Sequence, residues 1–287
     1  MMNASRRTAC LFPSALEGAL LMDGYAESPE RFVPGFERLT TLIANSRRLR
    51  VFTGAGVSTL SGIPDFRGAH GVYTDPWHGM DVEDILSLDF FRENPKVFYQ
   101  WAKDVWFHLE EYQPNIVHKV VAELERKGFS NGVYTQNIDM LHQRAGSKAV
   151  YEIHGSPFHN YCTQCGKHFS YEQIAPLVRS DILPVCDQCG GVIKPDIVFY
   201  GESLNRSLLE RAWEDFGHAD LCLVLGSSLT VQPAASLPRL TAQGGGRIVI
   251  VNAQPTDQDS FASLRFKDLS QVFVALSRWL ETQPDRK

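Results

Sequence analysis

Leu49-Arg50-Val51-Phe52-Thr53-Gly54-Ala55-Gly56-Val57-Ser58 is a short apolar run stopped abruptly by two glycines. Five residues rich in branched and aromatic side chains read as a buried strand, and the glycines mark the tight turn that ends it. Upstream, Phe36, Leu39, Leu42 and Ile43 recur at helical spacing, which predicts a helix over Phe36 to Arg48. Downstream, short strands are expected at Gly132–Thr135 and Ala149–Ile153. Two stronger ones lie at Leu221–Leu225 and Arg247–Val251, whose near-continuous apolar runs suit strands covered on both faces. Helical segments between them, at Ile116 to Lys127 and Leu208 to Phe216, complete an alternation of strand and helix. The expectation is an α/β fold, a doubly wound, Rossmann-like parallel sheet.

Two segments interrupt the alternation. Residues 70–114 form an aromatic, mainly helical insertion containing Phe90, Phe91, Phe98, Tyr99, Trp101, Trp106 and Phe107. Rings this large bury enough area to read first as a packed core. Residues 159–193 carry four of the six cysteines. The sheet domain is then assigned to 36–69, 115–158 and 194–287, with the two insertions forming a smaller domain. Residues 1–35 lack periodicity and read as an N-terminal arm, within which Met22 is an alternative start that would make Met1 to Leu21 an upstream extension.

Composition narrows the function classes. With 44% hydrophobic and 21% charged residues the chain is an ordinary globular protein. Its formal net charge of -5 gives no basic field for nucleic acid. The basic pairs Arg47-Arg48 and Arg126-Lys127 read as solvated helix faces. No apolar run approaches the ~20 residues a membrane span needs. Arg6 and Arg7 precede a stretch broken by Pro13 and Glu17, a poor secretory signal, so a cytoplasmic location is expected.

Cys162-Thr163-Gln164-Cys165 is followed after 20 residues by Cys186-Asp187-Gln188-Cys189. Two such knuckles supply four sulfurs to one tetrahedral ion with no position left open, which suits structural zinc. The alternative is two disulfides or free thiols. His159 and His168 lie nearby, but four cysteines already complete the set. Cys222, inside an apolar strand, reads as core, and Cys10 has no paired partner.

The turn Gly54-Ala55-Gly56 lets backbone approach a pyrophosphate closely. Thr59 stands where a full dinucleotide fingerprint needs glycine, so a phosphate cradle and an ordinary tight turn both remain open. Gly62-Ile63-Pro64-Asp65-Phe66-Arg67-Gly68 joins an acid, a ring and a guanidinium in a loop able to cover a charged cofactor. Polar residues follow each remaining strand: Gln136-Asn137-Ile138-Asp139, His154, Gly226-Ser227-Ser228 and Asn252. Ligands of open parallel sheets collect at the carboxyl ends of strands, so these groups converge on one crevice. His154, which titrates near neutrality, is the candidate general base.

Taken together with Lys194-Pro195-Asp196-Ile197-Val198-Phe199-Tyr200-Gly201-Glu202, these motifs resemble the sirtuins of bacterial type, in the family's order, over residues 36 to 280. The resemblance implies an NAD-dependent protein-lysine deacylase with NAD as co-substrate and acylated lysine side chains as partners. Gly54, Ala55, Gly56, Thr59, Asp65, Phe66 and Arg67 would bind the diphosphate and nicotinamide ribose. Gln136 would contact ribose, and Asn137, Ile138 and Asp139 would form the nicotinamide pocket. Gly226, Ser227, Ser228, Asn252, Asp268 and Leu269 would hold the adenosine half. Val198, Phe199, Tyr200, Gly201 and Glu202 would bind substrate, with Phe66, Ile138, His154 and Val198 walling an acyl tunnel. The acyl oxygen would attack the nicotinamide ribose as nicotinamide leaves, and His154 would activate a ribose hydroxyl, giving free lysine and O-acyl-ADP-ribose. Sirtuins that prefer succinyl or malonyl groups carry a Tyr-x-x-Arg pair. Here the segment reads Trp101-Ala102-Lys103-Asp104, so acetyl or longer neutral acyl groups are expected. The competing functions are a protein ADP-ribosyltransferase, against which His154 argues, and a non-enzymatic NAD-sensing zinc-ribbon module.

Overall fold

The computed structural model describes residues 33–68 and 71–286. Expectations for the arm up to residue 32, including Cys10 and the alternative start at Met22, lie outside them. Among the described residues there are nine strands: β1 Leu49–Thr53, β2 Ser130–Thr135, β3 Val150–Glu152, β4 Gly155–Cys162, β5 His168–Ser170, β6 Ile193–Ile197, β7 Leu221–Leu225, β8 Arg247–Val251 and β9 Ala262–Phe266. Six form a parallel sheet in the order β3-β2-β1-β7-β8-β9. This is the doubly wound order, with the chain reversing direction across the sheet between β1 and β7.

Strand periodicity distributes the core. Val51, Val133, Leu223 and Val249 point to one face, where the helices Phe36–Asn45, Ile116–Arg126 and Leu269–Glu281 cover them. Their neighbours Phe52, Tyr134, Val224 and Ile250 point to the other, under the helices Arg206–Gly217 and Leu237–Gln243. Full burial of each such side chain contributes ~1.5–3 kcal/mol. Cys222 is fully buried among them, as a core residue should be.

The aromatic insertion is a packed core of its own. Phe91, Phe98, Tyr99, Trp101, Trp106 and Phe107 are buried together with Tyr171, Ile174, Cys162 and Cys186 of the cysteine-bearing segment. The Tyr99 hydroxyl, buried with them, donates to the Ile193 carbonyl at 2.6 Å. An antiparallel sheet, β5-β4-β6, organises this part, and it extends from Gly155 to Ile197, beyond the expected span of 159–193.

Three local expectations need correction. The first helix stops at Asn45 rather than Arg48 because Asp220 draws the chain away: its carboxylate accepts from the Ser46 hydroxyl and from the Arg47 and Arg48 amides. Arg47 and Arg48 therefore sit in a turn, not on a helix face. Lys127 is buried, donating to the Gln283 carbonyl at 2.6 Å and pairing with Asp285 at 3.6 Å. At the end of the expected arm, Val33 is 7% exposed and packs into the core.

Candidate active site

The registers level the carboxyl ends of four strands. Thr53 of β1 lies opposite Thr135 of β2 and Leu225 of β7; Leu225 lies opposite Val251 of β8. The residues that follow, Gly54, Gln136, Gly226 and Asn252, therefore surround one crevice, a cavity of 1180 Å³. Every cofactor and substrate residue expected from sequence lines this cavity except Asp139, and so does His154.

The glycines allow the two central loops to meet. The Gly56 amide donates to the Gly226 carbonyl at 2.8 Å. A Cβ on Gly56 would stand 2.9 Å from the Gly226 backbone, and one on Gly226, whose φ is +58°, only 2.4 Å from the Val57 nitrogen. Ala55–Ser61 continues as a 3-10 helix rather than an α-helix. Asp65 caps the adjoining loop by accepting from the Gly68 amide at 2.7 Å, and the Phe66 ring packs 5.2 Å from Tyr73. Arg67 pairs with Glu83 at 2.9 Å and reaches the Tyr200 hydroxyl at 3.3 Å.

Behind the cavity a polar network fixes the loop after β2. Thr53 Oγ1 lies 3.0 Å from His142 Nε2 and donates to Thr135 Oγ1, which accepts from the Asn137 amide at 3.0 Å. Asn137 Nδ2 donates to the Gly54 carbonyl and to Ser58 Oγ, both at 3.1 Å. Ser58 Oγ in turn donates to Asp139 at 2.5 Å, and Leu141 N donates to the same carboxylate. Asp139 thus lies one layer below the wall, and burial pushes its carboxyl up from the ordinary value.

His154 follows β3, and its Nδ1 lies 3.1 Å from the Gln136 carbonyl. A carbonyl only accepts, so Nδ1 carries the proton and Nε2 is left as the acceptor. Burial lowers its pKa, opposed by that backbone bond, so the ring is neutral at neutral pH. Ser227 Oγ donates to Gln136 Oε1 at 2.7 Å, tying the β7 loop to the β2 loop. Asp268 caps the last helix, accepting from the Gln271 amide at 2.9 Å, and Leu269 opens that helix at the cavity edge.

A family model described as the Sir2 family matches residues 54–233. The chain belongs to the Sir2 family. An NAD-dependent protein deacetylase of Thermotoga maritima is 45% identical over 225 residues, 78% of this chain and 89% of that one. NAD-dependent protein deacylase 2 of Archaeoglobus fulgidus is 41% identical, over 76% of this chain and 85% of the relative. A solved complex of Sir2 with a p53 peptide and NAD+ superposes with TM-score 0.77 at 42% identity, covering 86% of this chain and 97% of that one. Sir2Tm bound to a propionylated peptide gives 0.75 at 41%, with the same coverage.

In this Sir2-family chain the four cysteine sulfurs lie within 4.8 Å of one another, without His159 or His168. Cys165 and Cys186 sulfurs are 3.7 Å apart and Cys162 and Cys189 3.4 Å. Disulfide sulfurs would stand ~2.05 Å apart, whereas a tetrahedral zinc with ~2.3 Å bonds needs ~3.8 Å between sulfurs. The set therefore fits zinc. Each knuckle is closed by an amide four residues on, Gly166 to the Cys162 carbonyl and Gly190 to the Cys186 carbonyl. Backbone amides of Cys165 and Gln164 aimed at the Cys162 sulfur favour its thiolate, while the neighbouring sulfurs hold the Cys189 thiol above its ordinary value, so the set shares its protons until a cation displaces them.

Sequence reasoning missed several lining residues. Leu86 and Trp106 enter from the aromatic insertion, Val231, Gln232 and Pro233 from the loop after β7. Nothing distinguishes a cavity-lining Trp106 from its buried neighbours Trp101 and Phe107 in a stretch this aromatic.

Proposed function

We propose that this chain is an NAD-dependent protein-lysine deacylase that moves an acyl group from lysine to ADP-ribose, with nicotinamide and free lysine as the other products. The observation that carries this reading is His154: a neutral imidazole, its Nδ1 proton directed at the Gln136 carbonyl, lining the same cavity as the Gly54–Gly56 turn and Val198. NAD supplies the leaving nicotinamide and the ribose that accepts the acyl group. Gly54, Ala55, Gly56, Thr59, Asp65, Phe66 and Arg67 bind its diphosphate and nicotinamide ribose, and Gln136 contacts the ribose. Asn137, Ile138 and Asp139 shape the nicotinamide pocket, and Gly226, Ser227, Ser228, Asn252, Asp268 and Leu269 hold the adenosine half. His154 Nε2 takes the proton from a ribose hydroxyl.

Phe66, Ile138, Leu86, Trp106 and Phe199 make the acyl end of the cavity apolar. Such a wall accepts a neutral acyl-lysine and rejects an ammonium, because an unpaired buried charge is costly. Val198 hydrogen-bonds the acyl-lysine through its own backbone, its neighbours Phe199, Tyr200, Gly201 and Glu202 complete the substrate segment, and Cys162, Cys165, Cys186 and Cys189 hold one structural zinc. We assign 36–69, 115–158 and 194–287 to the NAD-binding domain and the two insertions to the smaller one, whose antiparallel sheet reaches across both boundaries through Gly155–Cys162 and Ile193–Ile197.

The deciding experiment incubates the purified protein with an acetyl-lysine peptide, with and without NAD, and follows peptide and O-acetyl-ADP-ribose by mass spectrometry. Both products should form only with NAD. NAD-dependent labelling of protein side chains without deacylation would instead identify an ADP-ribosyltransferase. NAD binding with no turnover would identify a sensor.

A further inference from the structure

Lys194 carries a charge where few lysines are found. It lies on β6 opposite Tyr161 of β4, and its side chain is 2% exposed. Nζ donates to the Ile197 carbonyl at 2.7 Å and the Pro195 carbonyl at 3.2 Å. It pairs with Glu202 at 2.8 Å and stands 3.9 Å from the centre of the Phe199 ring. Glu202 in turn accepts from the Phe199 amide at 2.8 Å, while its own amide donates to the Phe199 carbonyl at 2.9 Å.

These bonds enclose Val198 from both sides. The carbonyl before it is held by Lys194, and the amide after it by Glu202. Its own amide donates to the His154 carbonyl at 2.9 Å, and Tyr200 is pinned through Leu86 and Leu88. Among the described residues no donor reaches the Val198 carbonyl, which the segment leaves for another partner.

We propose that Lys194 is a positioning residue for the acyl-lysine substrate, closing with Glu202 a clamp that fixes the Val198 backbone against the cavity. The inference rests on the deacylase reading and adds to it a residue that does not line the cavity. It also assigns Glu202 a structural partner in place of a purely substrate-facing role. A buried ion pair is a poor source of stability, since apolar replacements of similar volume are often neutral. Its bonds to the backbone on either side of Val198 point to orientation instead. Because β6 also pairs with β4, which ends at Cys162, the clamp is anchored on the zinc-binding sheet.

The test compares Lys194→Met, Glu202→Gln and the double variant with wild type in steady-state deacylation. NAD affinity, zinc content and thermal unfolding are measured on the same samples. Lys194→Met should raise KM for the acetyl-lysine peptide about tenfold with kcat changed less than about threefold, the signature of lost ground-state orientation. NAD affinity and zinc content should stay at wild-type values. Groups acting as one unit are non-additive, so the double variant should be no worse than Lys194→Met alone. An unchanged peptide KM in folded Lys194→Met overturns the proposal, as does a parallel loss of peptide, NAD and zinc binding. If Lys194→Met does not fold, Glu202→Gln decides: a peptide KM at the wild-type value overturns the clamp. Wild type that fails to deacylate at all would refute the functional reading itself, which these comparisons keep separate.

Discussion

His154 and Glu152 are two residues apart at the end of β3 and are driven in opposite directions by the same cause. Burial lowers the pKa of His154 and raises that of Glu152 to about 7, since each loses water around its charged form. For His154 the active form is the neutral base, so kcat/KM should fall as pH drops through its pKa. That acid limb should lie below the ordinary histidine value of 6.5, and a limb above 6.5 would contradict the assigned environment. His154→Ala should lower deacylation ~10²–10⁴-fold across the profile. Nicotinamide release in a single turnover should survive, because the base acts after that departure. For Glu152 the folded state holds the proton more tightly than the unfolded chain does. Stability therefore falls as pH rises from about 4.5 to about 7. Glu152→Gln should unfold at a higher temperature than wild type at pH 8, with the gap closing by pH 5; calorimetry at the two pH values measures this. His154 could be named from sequence because it follows a strand directly. Lys194 could not, because a lysine in a polar motif gives no sign that its side chain turns inward.

At the scale of elements, legibility followed hydrophobic pattern. The strands Leu49–Thr53, Leu221–Leu225 and Arg247–Val251 are read to the residue, since burial on both faces writes itself as a near-continuous apolar run, interrupted here only by Arg50 and Arg247. The edge strand β9, Ala-Ser-Leu-Arg-Phe, was invisible: it is partly exposed, and it presents Ser263 and Arg265 amid the apolar residues. β4, β5 and β6 were equally hidden, because their partners are set by the cysteine knuckles and not by a periodic face. That dependence is testable. β4 ends at Cys162 and β6 begins at Ile193, four residues after Cys189, so removing the metal should loosen the sheet that carries Lys194 and leads into Val198. Chelation, or Cys186→Ser, should abolish deacylation together with zinc content. The parallel sheet has its own core on both faces, so far-ultraviolet circular dichroism should retain most of the helical signal. Full activity in zinc-free protein would show that the knuckles do not support the substrate segment.

For the whole molecule, the cavity lies where two separately cored parts meet, and its two walls differ in kind. The doubly wound sheet contributes loops of glycine, serine and amide side chains suited to a dinucleotide. The aromatic insertion contributes Leu86 and Trp106 and, through Ile197 and Phe199, an apolar floor. Two cations beside that floor are already engaged, Arg67 with Glu83 and Lys194 with Glu202. Trp101, buried in the aromatic core, and Asp104, exposed, occupy the two positions that the family resemblance gives to the acid-binding pair; neither lines the cavity, so neither supplies it a cation. A carboxylate brought into this end would lose its water without gaining a cation. We therefore expect kcat/KM for acetyl and butyryl peptides to exceed that for a succinyl peptide by at least about 100-fold, the order expected when a buried charge is left unpaired. Competition between the peptides in one reaction, read by mass spectrometry, measures the ratio directly. A ratio near one would contradict this account of the apolar end of the cavity.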